Sequence, residues 1–203
     1  MEYLLKDREP KEALRYFEEI SAIPRGSGNE EAISQYLLDF AKAHGLDAYR
    51  DSAWNVYITK PGSAGCESLP PLMLQGHTDM VCEKNHNVDH DFTKDPIKLV
   101  VEGNILRADG TTLGADNGVA VAWMLSILAD DSLKHPPLEC VFTASEEVGL
   151  IGAHNLEFDR IHARRLINLD CGPEGVFCCG SAGGQVTDLR LPLRREEAQG
   201  LPL

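Results

Sequence analysis

Residues 117–130, NGVAVAWMLSILAD, are apolar almost all the way round. A helix without a polar face has no side to give to water, so it must lie buried against other structure. The flanking sequence supplies that structure. Strand-like runs occur at 54–60, 71–76, 138–144 and 166–169, and residues 97–108, IKLVVEGNILRA, have the pattern of a hairpin turning at Gly103–Asn104. Two amphipathic helices come first. One spans 11–22 and must end before Pro24. The second starts near Ser27–Asn29, where small polar residues can cap and Glu30 and Glu31 suit the positive end of the dipole. Ile33, Tyr36, Leu37, Phe40 and Ala41 follow at helical spacing, and Gly45 is the expected stop. Helices interleaved with buried strands specify a layered α/β fold.

The chain has 203 residues and a net charge of −13, from 32 acids against 19 bases. Nucleic-acid affinity comes from neutralising phosphates with Lys and Arg, so this balance excludes that class of partner, and an anionic membrane surface with it. No apolar run reaches the roughly 18–20 residues that span a bilayer. The N-terminus, MEYLLKDREPKEALRYF, lacks the basic and apolar regions of a leader, which predicts a cytoplasmic protein. Cys66, Cys82, Cys140, Cys171, Cys178 and Cys179 form no regular framework and no CxxC pair, so free thiols are expected and a thiolate zinc site is not.

The strand ends carry the chemistry. The run PLMLQG delivers His77 and then Asp79; PLECVFTA delivers Ser145, Glu146 and Glu147; RLINL delivers Asp170. The buried helix is entered through LGADNG, with Asp116 and Asn117 at its edge. Each has an ordinary reading: a cap for Asp116, solvated surface for the Glu pair, a turn for Asp170. Together they describe something else. Ligand sites in open α/β sheets lie outside the carboxyl ends of the strands. If these strands are parallel neighbours, the groups converge on one rim, where carboxylates repel one another unless a cation holds them. One imidazole with several carboxylate oxygens suits Zn²⁺, Mn²⁺ or Co²⁺.

GHTDMVCEKN, GTTLGADNGVAVA, SEEVGLIGA and INLDCGPEG occur in an order and spacing that resembles the M20 metallopeptidases, and within them the cytosolic aminoacyl-histidine dipeptidase branch. IPRGSGNEE at 23–31 and HDFTKDPIKL at 90–99 extend the resemblance over nearly the whole chain. It implies a three-layer α/β sandwich with a mainly parallel sheet, as in zinc aminopeptidases, and two divalent ions, zinc first and cobalt or manganese as alternatives. His77 and Asp170 would hold one ion, Asp116 would bridge it to a second, and Glu147 would bind that second ion. Glu146 would be the general base. Asp79 would accept the other N–H of His77, fixing the tautomer of the ring. The Asp116–Asn117 peptide bond is expected to be cis. The reaction would be hydrolysis of dipeptides, those ending in histidine among them.

Members of that family are longer, with a lid and dimerisation domain inserted near Gly184. The expected organisation is therefore residues 1–183 as the N-terminal part of the catalytic domain and 184–203 as the start of the lid. The distal histidine of the second ion is missing, so the chain alone is expected to be inactive, and the full-length form to be a homodimer acting on dipeptides, with no nucleic-acid or membrane partner. His86 and His90 have i, i+4 spacing but lie in a polar loop. The alternatives are an amino-acid deacylase of the same family, or a truncated metal-binding module without activity. A cysteine hydrolase using Cys82 or Cys178–Cys179 has no histidine pairing to support it. GSG at 26–28 follows a helix rather than a strand, which makes it a poor phosphate loop.

Overall fold

A computed structural model describes residues 3–170, 172, 175–180, 183 and 187–194. Two helices open the chain, α1 (Lys11–Ser21) and α2 (Glu31–Ala43). Strands β1 (Asp47–Arg50), β2 (Val56–Lys60) and β3 (Leu72–His77) follow, then the hairpin β4 (Leu99–Glu102) and β5 (Ile105–Ala108). The apolar segment forms α3 (Ala115–Ala129), and β6 (Leu138–Thr143), a short α4 (Ile151–His154) and β7 (Leu166–Asn168) complete the order. The chain divides into two units, Met1–Cys171 and Gly172–Leu203. In the second, residues 187–194 have no regular secondary structure, although their sequence opens like an alternating strand.

The main sheet has the order β1-β2-β6-β3-β7, and the hairpin β4-β5 stands as a second sheet. It is mixed. β1 and β2 pair antiparallel, as do β2 and β6, whereas β3 runs parallel to both β6 and β7. The period-two alternation of the strands sorts their side chains onto two faces. Val56, Ile58, Leu74, Cys140 and Phe142 face a core shared with Tyr16, Phe17, Ile20, Leu37 and Leu125. Tyr57, Met73 and Val141 point the other way, into a smaller cluster with Ala163. The opposite faces of β2, β6 and β3 are therefore both covered, which explains why every residue of β6 is buried.

Each end of α3 is tied to the sheet. At its C-terminal end the buried Lys60 Nζ donates to the carbonyls of Leu128 (3.0 Å) and Asp130 (2.9 Å), supplying donors to the negative end of the helix. At its start, Asp116 and Asn117 depart from helical dihedrals and the bond between them is cis, as the family resemblance implied. Among the described residues Cys66, Cys82, Cys140, Cys178 and Cys179 are free thiols, and Cys171 lies outside them. No described helix is long and apolar enough to cross a membrane.

Candidate metal centre at the ends of the parallel strands

Because β3, β6 and β7 are parallel, their carboxyl ends open on the same rim. His77 lies opposite Thr143 and Gln75 opposite Asn168, so His77, the turn 145–147 and Asp170 leave the sheet side by side. His77 is buried. Its Nε2 stands 3.1 Å from Asp116 Oδ1 and 3.8 Å from both Glu146 Oε2 and Asp170 Oδ2. Its Nδ1 lies 3.1 Å from the Asp79 carbonyl oxygen and 3.3 Å from Asp79 Oδ1. One ring nitrogen is thus committed to Asp79 and the other is aimed into a ring of carboxylates.

The charges follow from that arrangement. Burial alone would favour the neutral imidazole, but the bond to Asp79 and the negative charges of Asp79, Asp170 and Glu146 outweigh it and lift His77 to about 9. Asp79 is itself fully buried. Burial opposes its charge, yet bonds from His77, Ser27 and the backbone N–H groups of Glu146 and Glu147 hold its carboxyl at about 2. Glu146, Glu147 and Asp170 are all pushed up, first by burial and then by neighbouring carboxylates. A cluster that raises its own carboxyls in this way is built to receive positive charge.

Backbone geometry delivers these groups. Gly114 precedes α3 with φ +70°, which lets the chain turn sharply into Asp116. Asn117 then straps the rim together: its Oδ1 accepts from the His77 N–H at 3.3 Å, and its Nδ2 donates to the Leu169 carbonyl at 3.1 Å and to Asp170 Oδ1 at 3.3 Å. The approach of α3 to β3 demands glycine at position 76, since a Cβ there would sit 2.5 Å from Asn117 Oδ1 and 2.9 Å from the Ala120 Cβ. On β6 the chain turns through Ser145 at φ +50°, a left-handed conformation that costs an L-residue about 1–2 kcal/mol.

Three polar residues of the segment between α1 and α2 reach the same rim, and local sequence patterns did not foretell it. Arg25, 2% exposed, donates through Nη1 to the Thr78 carbonyl (2.9 Å) and through Nη2 to the Gly114 carbonyl. Burial lowers its guanidinium to about 10 against the charge of Asp79. Ser27 Oγ donates to Asp79 Oδ2 at 2.7 Å. Glu30 accepts from Ser145. The N-cap of α2 is Glu30, without a side-chain capping bond, and not one of Ser27–Asn29 as the sequence suggested. Ser27 serves Asp79 instead.

The structure brings the sequence-nominated groups together in two sets of three. His77, Asp116 and Asp170 can offer ligand atoms mutually within 4.8 Å, as can His77, Glu146 and Glu147. One nitrogen with two carboxylate oxygens is a donor set that divalent transition metals accept, so the first triad fits an ion. Both triads draw on His77. No described group of three joins Asp116 to Glu147 without it, and neither His86 nor His90 belongs to a group.

Solved structures of peptidases superpose on the chain and define the class of its fold. An aminoacylhistidine dipeptidase from Vibrio alginolyticus matches with TM-score 0.82 and 42% identity over 84% of this chain and 35% of that one. A tripeptidase from Staphylococcus aureus matches with TM-score 0.68 and 28% identity over 80% and 44%. In sequence, the cytosol non-specific dipeptidase of Escherichia coli (strain K12) is 42% identical over 192 residues, 95% of this chain and 40% of that protein. Peptidase T of Vibrio cholerae is 31% identical over 124 residues, 58% of this chain and 30% of its own length. No family model matches. Within the peptidase class the chain belongs to the M20 family. It spans about two-fifths of the length of the E. coli relative.

Proposed function

We propose that the chain is the N-terminal part of a metal-dependent dipeptidase, with residues 1–183 belonging to the catalytic domain and 184–203 to the start of a lid. The observation that carries the reading is the environment of His77: Nδ1 at Asp79, Nε2 facing Asp116, Glu146 and Asp170. His77 Nε2, Asp116 and Asp170 would hold a divalent ion, zinc or else cobalt or manganese, and Glu147 would bind a second. When bound, such an ion supplies charge that polarises a scissile carbonyl and acidifies water.

The chain's own groups do the rest. Asp79 accepts a hydrogen bond from the Nδ1–H of His77 and keeps Nε2 turned toward the carboxylates that would share the ion with it. Glu146, raised in affinity for a proton by burial and by its carboxylate neighbours, takes the proton of the attacking water on its carboxylate and returns it to the nitrogen of the departing amine. The E. coli relative is named a cytosol dipeptidase and the Vibrio alginolyticus structure an aminoacylhistidine dipeptidase. Dipeptides, Xaa-His among them, are accordingly the substrates we assign, with the full-length protein a cytoplasmic homodimer.

The test is calorimetric titration of the 203-residue chain with Zn²⁺ or Co²⁺. One tight ion is expected, because the two triads compete for one imidazole nitrogen. Asp116→Ala should abolish tight uptake. Two tight ions in the parent chain, or an unchanged titration in Asp116→Ala, would overturn the assignment.

A further inference from the structure

We propose that Glu30 is a positioning residue whose buried carboxylate sets the direction in which Glu146 points at His77, acting through Ser145. The inference rests on the reading of Glu146 as the group that handles the proton. Nothing in the local sequence marks Glu30 for this task, since it lies 115 residues away from Ser145 and at the head of a helix.

Three donors converge on one oxygen. Glu30 Oε1 accepts from the Ser145 N–H at 2.9 Å, from Ser145 Oγ at 2.6 Å and from the Gly28 N–H at 3.0 Å. Glu30 is 2% exposed, so water does not compete for that oxygen. Ser145 is the residue at which β6 must leave its extended course, and it does so at φ +50°. A serine has no intrinsic preference for that region, so the turn persists only where its surroundings hold it. The next two residues are held by a different buried carboxylate: the N–H of Glu146 donates to Asp79 Oδ1 at 2.9 Å, and that of Glu147 to Asp79 Oδ2 at 3.2 Å. Three successive backbone N–H groups are thus pinned by two carboxylates, and Ser27 in turn bonds Asp79. The Glu146 side chain emerges from the middle of this cradle, which leaves its Oε2 3.8 Å from His77 Nε2. If Ser145 were released, the turn could relax toward ordinary dihedrals and carry Glu146 away from the imidazole.

Reach and charge can be separated by substitution. Glu30→Asp keeps the charge at the helix head, where Asp is a good N-cap, but withdraws the oxygen from Ser145 by one methylene. Glu30→Gln keeps the reach and removes the charge. The readout is amide hydrogen exchange of the 203-residue chain, with peptides covering 144–150 compared against those covering α1 and β2. Glu30→Asp should accelerate exchange in 144–150 by at least about tenfold, as expected when bonds to a charged acceptor are lost. Exchange in α1 and β2 should stay unchanged, and Glu30→Gln, which keeps the acceptor oxygen but not its charge, should accelerate exchange in 144–150 clearly less than Glu30→Asp does. Zn²⁺ uptake by Glu30→Asp should match the parent, because His77, Asp116 and Asp170 lie outside the turn. Unchanged exchange in Glu30→Asp, equal acceleration throughout the chain, or a Glu30→Gln that behaves like Glu30→Asp would each overturn the proposal. Failure of the parent chain to take up Zn²⁺ would instead overturn the metal reading and leave the exchange comparison intact.

Discussion

Replacing Gly76 by alanine tests whether the site is held by close packing of α3 on β3. The added Cβ would stand 2.5 Å from Asn117 Oδ1 and 2.9 Å from the Ala120 Cβ, where ordinary contact is 3.4–4 Å. Neither neighbour can yield cheaply. Ala120 is 4% exposed within α3, and Asn117 is held by bonds to His77, Leu169 and Asp170. Overpacking of this kind costs about 1–3 kcal/mol. If Asn117 swings away, the buried N–H of His77 loses its acceptor, at about 1–3 kcal/mol more. Relief of glycine's entropy in the unfolded chain returns about 0.5–1 kcal/mol. The net expectation is a destabilisation of about 2–4 kcal/mol. Urea unfolding followed by the fluorescence of Trp54 and Trp123 would show it as a midpoint lower by about 1–2 M, for a slope near 2 kcal/mol/M. Because Asn117 also touches Asp170, Zn²⁺ affinity should fall in the same variant. A loss of stability below about 0.5 kcal/mol with unchanged Zn²⁺ affinity would refute the view that this contact is rigid.

In the full-length protein, Glu146→Gln should leave metal content intact while lowering turnover by about 10²–10⁴, the contribution of a general base; lost metal, or undiminished turnover, would remove Glu146 from that role. Cysteine alkylation gives a second check that needs no metal. Cys178, Cys179 and Cys82 are exposed, whereas burial pushes the Cys140 thiol up to about 12. Iodoacetamide at neutral pH should therefore label Cys178 and Cys179 in the native chain, Cys82 more slowly because burial pushes its thiol up as well, and Cys140 only after unfolding. Early labelling of Cys140 would show that β6 is not central to the sheet.

The main elements were legible because their signals are local. Apolar runs of strand length gave β2, β3, β6 and β7, and the turn residues Gly103–Asn104 gave the β4–β5 hairpin. β1, Asp47–Arg50, escaped notice because DAYR offers no apolar run; it is an edge strand that is only partly buried. Sheet order was not written locally either, and the antiparallel β2 between β1 and β6 follows from long-range pairing. The candidate site was legible in its ends: His77, Asp79, Glu146, Glu147, Asp116 and Asp170 stand at element boundaries. Its scaffolding was not. Ser27 resembled a helix cap and Glu30 a dipole partner, but they bond Asp79 and Ser145 across 52 and 115 residues of chain. A polar side chain committed to a distant partner resembles, in sequence, one committed to its own helix.

α3 behaves as a beam supported at both ends. Lys60 on β2 grips its last carbonyls, and Asn117 fastens its first turn to β3 and to the residues that follow β7. Beyond the kink at Asp116–Asn117 the helix runs unbroken to Ala129, a rod about 18 Å long, so its two supports fix tilt as well as position. A group carried at the tip of such a rod inherits any rotation introduced at the other end. The strap that Asn117 makes to His77 and Leu169 is in that sense specified partly by an ammonium about 18 Å distant along the helix, on a strand that contributes nothing to the site itself.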